Sequence, residues 1–140
     1  MPALLVLTVF GNDGGKGDRD HLLALYRRAD SLYHLTHSTA VTDSQSLAGF
    51  NAVIDGLRSL RSHPDKDSLL AGALLRKGVL LDAAGDYAGA KACYVDALNA
   101  NPREDSLSFV AEVDMGALYY NLNHFDSANY FLLKAQMLVH

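Results

Sequence analysis

The sequence predicts an all-α protein: about six helices in three antiparallel hairpins, behind a short apolar N-terminal segment. Three observations carry this. Apolar residues recur at i, i+3, i+4 and i+7 through most of the 140 residues, which is the period of a helix with one buried face. The framework of Leu69 to Pro102 returns in a second copy, with Gly116 in the place of Gly78, an offset of 38 residues. No series of strands follows the first apolar run, so a parallel sheet has nothing to be built from.

Composition bounds the function classes. At 140 residues the chain is one domain by length, and 49% apolar with 20% charged residues is a globular balance with enough apolar side chain for a core. The net charge of −4 and the lack of any basic cluster denser than Arg27-Arg28 argue against nucleic-acid and anionic-membrane partners, both of which reward clustered Lys and Arg.

Residues 3–10, ALLVLTVF, are too few to span a bilayer as a helix. Their length suits the hydrophobic part of an export signal, but the cationic start and the small-x-small cleavage site are missing. The alternative is an extended segment that packs on the helices or on another copy of the chain. Cytoplasmic is therefore the default location, and an exported or periplasmic one follows if residues 3–10 are a truncated signal. Residues 11–19 read as a flexible glycine-rich linker. Their Gly15-Lys16 resembles a phosphate-binding loop only superficially: three residues separate Gly11 from Gly15 where four are needed, and Gly17 stands where Ser or Thr would hold magnesium. The same stretch lacks the aspartate register of a calcium loop.

From about Asp20 to residue 36, His21, Leu22, Leu23, Leu25, Tyr26, Ala29, Leu32, Tyr33 and Leu35 form one face, with Asp18 or Asp20 available as a cap. After a turn at residues 37–41, Thr42-Asp43-Ser44 offers the next cap, and a helix to about Ser62 turns Leu47, Phe50, Val53, Ile54, Leu57 and Leu60 inward, with Ser46, Phe50 and Val53 at the small, aromatic, aliphatic spacing of the later second helices. This first pair has no glycine in its first helix near His34, which predicts a wider helix approach. Residues 61–68, with Pro64, join it to the next hairpin.

In the Leu69–Pro102 stretch, Gly78 lets the partner helix come close, and Ala90 and Ala97 do so from the other side. Tyr94 fills the space between, Gly85-Asp86 turns the chain and Pro102 ends the second helix. In the second copy Tyr119, Asn123, Phe125, Ala128, Leu132 and Ala135 stand under Leu81, Gly85, Tyr87, Ala90, Tyr94 and Ala97. Asparagine tolerates the left-handed turn conformation better than most residues. The extra residues of the 38-residue offset fit a loop at Arg103 to Leu107.

The spacing of Leu74, Gly78, Leu81, Gly85, Tyr87, Ala90, Tyr94, Ala97 and Pro102 resembles the tetratricopeptide repeat, a helix–turn–helix unit of about 34 residues. The resemblance is strong over residues 69–140 and weak over 20–62. Phrases such as RADSLYHLTHST and YYNLNHFDSANYFLLKAQ also resemble N-terminal repeat regions of larger bacterial proteins, some with a caspase-like protease domain downstream. The resemblance implies a right-handed solenoid whose first helices line a concave groove. It implies that Leu75, Val79, Asp82 and Ala83, and in the last copy Val113, Ala117, Tyr120 and Asn121, face a bound peptide or amphipathic helix. Members that take the carboxylate tails of heat-shock chaperones use Lys, Arg and Asn there; Leu75 and Val79 stand in those places, so that ligand is not expected.

No catalytic constellation is legible. His34 and His37 could supply two metal ligands where three or four are needed, and Asp105, Glu112 and Asp114 have no histidine or nucleophile in register. Cys93 reads as a small apolar residue, and Tyr119 and Tyr130 as framework, with Tyr120 left for the groove. The expectation is a non-enzymatic protein-interaction module with no cofactor and no metal, a docking or sensing arm of a larger assembly. A structural self-assembly module is the alternative, oligomerising through the apolar start and through a last helix that ends in Met137, Leu138 and Val139 without a polar cap.

Overall fold

In a computed structural model the described residues, 16–35, 39–60, 65–101 and 105–139, form six helices and no strand. They are α1 Lys16–Tyr33, α2 Ala40–Ser59, α3 Lys66–Ala83, α4 Tyr87–Ala100, α5 Asp105–Asn121 and α6 Phe125–Leu138. The expectations for residues 3–10, for the linker at 11–15, and for His37, Pro64 and Pro102 lie outside the described residues. The chain divides into two units, Met1–Lys66 and Asp67–His140.

The first unit holds the α1–α2 hairpin. Its first helix starts four residues before Asp20, so residues 16–19 are helical and not linker, and neither Asp18 nor Asp20 is the cap. A single glycine, Gly17, costs a helix about 1 kcal/mol. The apolar face behind it outweighs that cost: Leu22 and Ala29 are 2% and 1% exposed. The second helix is capped earlier than Thr42. Thr39 is the N-cap: its Oγ1 accepts from the Thr42 amide at 3.2 Å, and its own amide donates to Thr42 Oγ1 at 2.7 Å. That reciprocal pair satisfies two donors otherwise left open at a helix start.

Phe50, Val53, Ile54 and Leu57 are buried as expected, and Ser46 with them, whereas Leu47 and Leu60 are only half-buried and, on the first helix, His21 and Leu35 are exposed; Tyr26 and Tyr33 stand edge-on to Phe50 at 5.8 and 6.2 Å. The expected wider approach is corrected. Close packing is kept, with the glycines on the second helix instead of the first. A Cβ at Gly49 would lie 2.8 Å from that of Ala29, and one at Gly56 would overlap the Leu22 side chain. Ser46 Oγ donates to the Ala29 carbonyl at 2.9 Å across the same seam.

The second unit contains two hairpins that repeat with the offset seen in the sequence. The ends of α3 at Ala83, and of α4 at Tyr87 and Ala100, recur 38 residues later at Asn121, Phe125 and Leu138. So do the turns. Gly85 (φ 87°) and Asn123 (φ 62°) both adopt the left-handed conformation. In one turn the Gly85 and Asp86 amides donate to Asp82 and Leu81; in the other, Asn123 and His124 donate to Tyr120 and Tyr119. This doubled closure satisfies the last helical carbonyls. The first helices are long, 18 and 17 residues against 14 for their partners. The residues beyond a 34-residue period therefore extend the first helices by about one turn, and Asp105 to Leu107, expected as loop, are helical.

The seams of the two hairpins differ. Tyr94, 1% exposed, lies against Gly78, where a Cβ would come within 2.7 Å of the ring Cδ1. Its counterpart Leu132 lies against Gly116 but is 42% exposed. The α4 start also has what the α6 start lacks. Asp86 Oδ1 accepts from the Gly89 amide at 3.0 Å, whereas His124 makes no side-chain cap bond. His124→Asp is therefore expected to raise unfolding free energy by about 1 kcal/mol, measured by urea denaturation; no gain would mean that the ring stacking of His124 on Tyr119 (6.2 Å) already compensates.

Candidate functional site

The residues that the repeat resemblance points to lie on α3 and α5, both in the second unit. Val79, Asp82 and Val113 are half-buried, and Ala83, Ala117, Tyr120 and Asn121 are exposed. Leu75 differs: it is 4% exposed and offers no side-chain surface to a ligand. Spacing shows which turn of a helix a residue occupies, but Leu75 lies where α3 is buried along Ala71–Leu75 almost all round.

Tyr120 is the largest accessible side chain of the set, at 62% exposed. Its ring meets that of Phe125 edge-to-face at 5.5 Å, and Phe125 is itself 55% exposed. The pair is set by the α5–α6 turn, because Asn123 reverses the chain between them. Read from sequence, Phe125 is framework; the structure makes it half of a surface aromatic pair. Tyr130 is likewise a correction, being 57% exposed and not framework. Tyr119 does serve as framework, half-buried and stacked on Phe131 at 5.4 Å.

Beside these aromatics the site is acidic. Burial, and then the neighbouring carboxylate of Asp82, push Asp114 up from 3.8 to about 6. Sequence alone gives Asp114 no such partner, since 32 residues separate it from Asp82 and only the packing of α3 with α5 brings them within electrostatic reach. Two positions further back, Glu112 is 5% exposed in the place where the α3–α4 hairpin has Leu74. Its Oε1 lies 3.3 Å from Lys134 Nζ on α6, while Oε2 has no hydrogen-bond partner. A buried pair of this kind adds little net stability over an apolar residue of the same shape. It does hold α6 on α5 from one side, because removing Lys134 leaves the buried Glu112 without its counter-charge, whereas Lys134 is itself 44% exposed.

Cys93 is buried on α4. His34, at the end of α1, lies 3.3 Å from the Asp30 carboxylate, one turn earlier on the same helix. Among the described residues no three His, Cys, Asp or Glu side chains gather as a metal site, and no helix is long and apolar enough to cross a membrane. The face offers apolar contact through Val79, Val113 and the aromatic pair, and charge through Asp82 and Asp114. Comparison with known protein families, with curated proteins and with solved structures gave no match.

Proposed function

We propose that the second unit is a non-enzymatic protein-interaction module of the tetratricopeptide type, taking an extended peptide or one face of a helix across α3 and α5. The observation that carries the reading is the Tyr120–Phe125 pair, two aromatic rings more than half exposed and braced against each other. Rigid aromatic side chains with few rotamers to lose are the usual anchors of an interface. Val79 and Val113 add apolar contact, and Asp82 with Asp114 favours a basic side chain in the ligand. The hairpin geometry and the duplicated turns support a repeat of this type.

The test is selection of a random peptide display library on the intact chain, followed by fluorescence-polarisation titration of the selected peptides. Peptides with micromolar Kd are expected, rich in apolar residues and in Lys or Arg, and weakened at least tenfold by Tyr120→Ala while the circular dichroism of the chain is unchanged. No enrichment, or peptides that bind Tyr120→Ala as tightly, would overturn the reading.

A further inference from the structure

The outer face of α6 is unlike the rest of the surface. Tyr130, Leu133 and Met137, 57%, 58% and 76% exposed, fall at spacings of three and four and so form a single stripe. Ala128 and Ala135, which face the core at 3% and 2% exposed, lie on the opposite side of the helix. The matching positions of α4, 38 residues earlier, are Ala92, Val95 and Asn99, small or polar for the most part, so the stripe is not a by-product of the repeat.

From this we infer that α6 is a self-association surface, occupied by α6 of a second copy in an antiparallel, two-fold pair. Area is the first argument. The three side chains expose on the order of 400 Å², about half of the roughly 800 Å² per partner that a stable specific interface takes, so they form its apolar centre and the polar residues beside them its rim. Charge is the second. Asp126 and Lys134 stand one turn to either side of Tyr130, and the antiparallel two-fold sets each opposite its counter-charge on the partner copy, twice per dimer. Lys134 keeps this capacity beside Glu112 because an ammonium has three donors, and its side chain is 44% exposed. The third argument excludes head-to-tail stacking. The accessible face of α1 carries Asp20, Arg27 and Arg28, whose charges an apolar stripe from another copy would desolvate. An isologous pair closes on itself and leaves that face in water.

The surface is separate from the Tyr120 face, so the two readings fail independently. Light scattering after gel filtration of the intact chain at 10–100 µM is expected to give twice 15.1 kDa. The pair Leu133→Glu and Met137→Glu should restore the monomer with helical content unchanged. Tyr130→Cys sits on the two-fold and should cross-link to its own copy on mild oxidation, while Ala92→Cys, its counterpart on α4, should not. A monomer at 100 µM overturns the inference. So does a dimer that survives the double substitution, since it must then form elsewhere, or equal cross-linking from both cysteine positions.

Discussion

Gly78→Ala is expected to lower unfolding free energy by up to about 2 kcal/mol, and Gly116→Ala to leave it unchanged or raise it by less than about 1 kcal/mol, although the two glycines hold equivalent places. Both substitutions gain about 1 kcal/mol of helix propensity. They differ in what the new methyl meets. At Gly78 it enters the ring of Tyr94, which is 1% exposed and has nowhere to move, so the added volume is met by strain in a filled seam, typically 1–3 kcal/mol before relaxation. At Gly116 it meets Leu132, 2.7 Å from Cγ and Cδ2, but that side chain is 42% exposed and can rotate outward. Urea denaturation of the two variants beside the parent chain reads the difference directly. Equal losses would mean that the backbones, and not these side chains, set the helix separation.

The second large effect is at Asp114. Its carboxyl is pushed up from 3.8 to about 6, first by burial and then by Asp82. A folded-state pKa above the unfolded one means that the native chain binds the proton more tightly. The group therefore favours folding below about pH 4, and that contribution is lost as the pH rises through about 6. Two units correspond to about 3 kcal/mol at most. With the side chain only half-buried and partly screened by solvent, Asp114→Asn is expected to raise stability by about 1–2 kcal/mol at pH 7 and to be nearly neutral at pH 3. Urea midpoints of both chains at the two pH values test it. A gain of the same size at both would show that the asparagine acts through packing and not through charge. Asp82→Asn should reproduce only the smaller part of the effect, because burial is the leading cause. If Asp114 helps to hold a basic ligand, the stabilised variant should bind it less well, the usual exchange between stability and a site that is strained when empty.

The all-α hairpin architecture was legible because period and spacing are properties of one helix and its immediate partner. The Gly78, Ala90, Tyr94 and Ala97 stripe, the Gly85 turn and its echo at Asn123 all depend on residues within about twenty positions of one another, and the structure places them as the spacing predicts. Capping was less legible. Thr39 and Thr42 look no more suited to a helix start than Thr42 and Asp43 until the backbone shows which hydroxyl faces which amide. The seam of the first hairpin was misread because a close approach needs a small residue on either helix, and periodicity cannot tell Gly49 facing Ala29 from a glycine at the expected place on the first helix. The candidate site was the least legible. Whether Leu75 is buried and whether Asp114 meets Asp82 depend on how separate helices pack, and no spacing within one helix reports that. Phe125 and Tyr130 satisfy an apolar framework pattern equally well pointing inward or outward.

The paired turns at Gly85 and Asn123 have a consequence for how the second unit comes together. Each joins two helices that are neighbours in sequence, so the contacts it closes span short loops and little chain entropy is spent in forming them. A region dominated by such local closures has a low contact order and folds quickly. Because both hairpins carry the same device, either one can act as the nucleus on which the other grows, and a newly made chain can begin to order α3 and α4 before α5 and α6 exist.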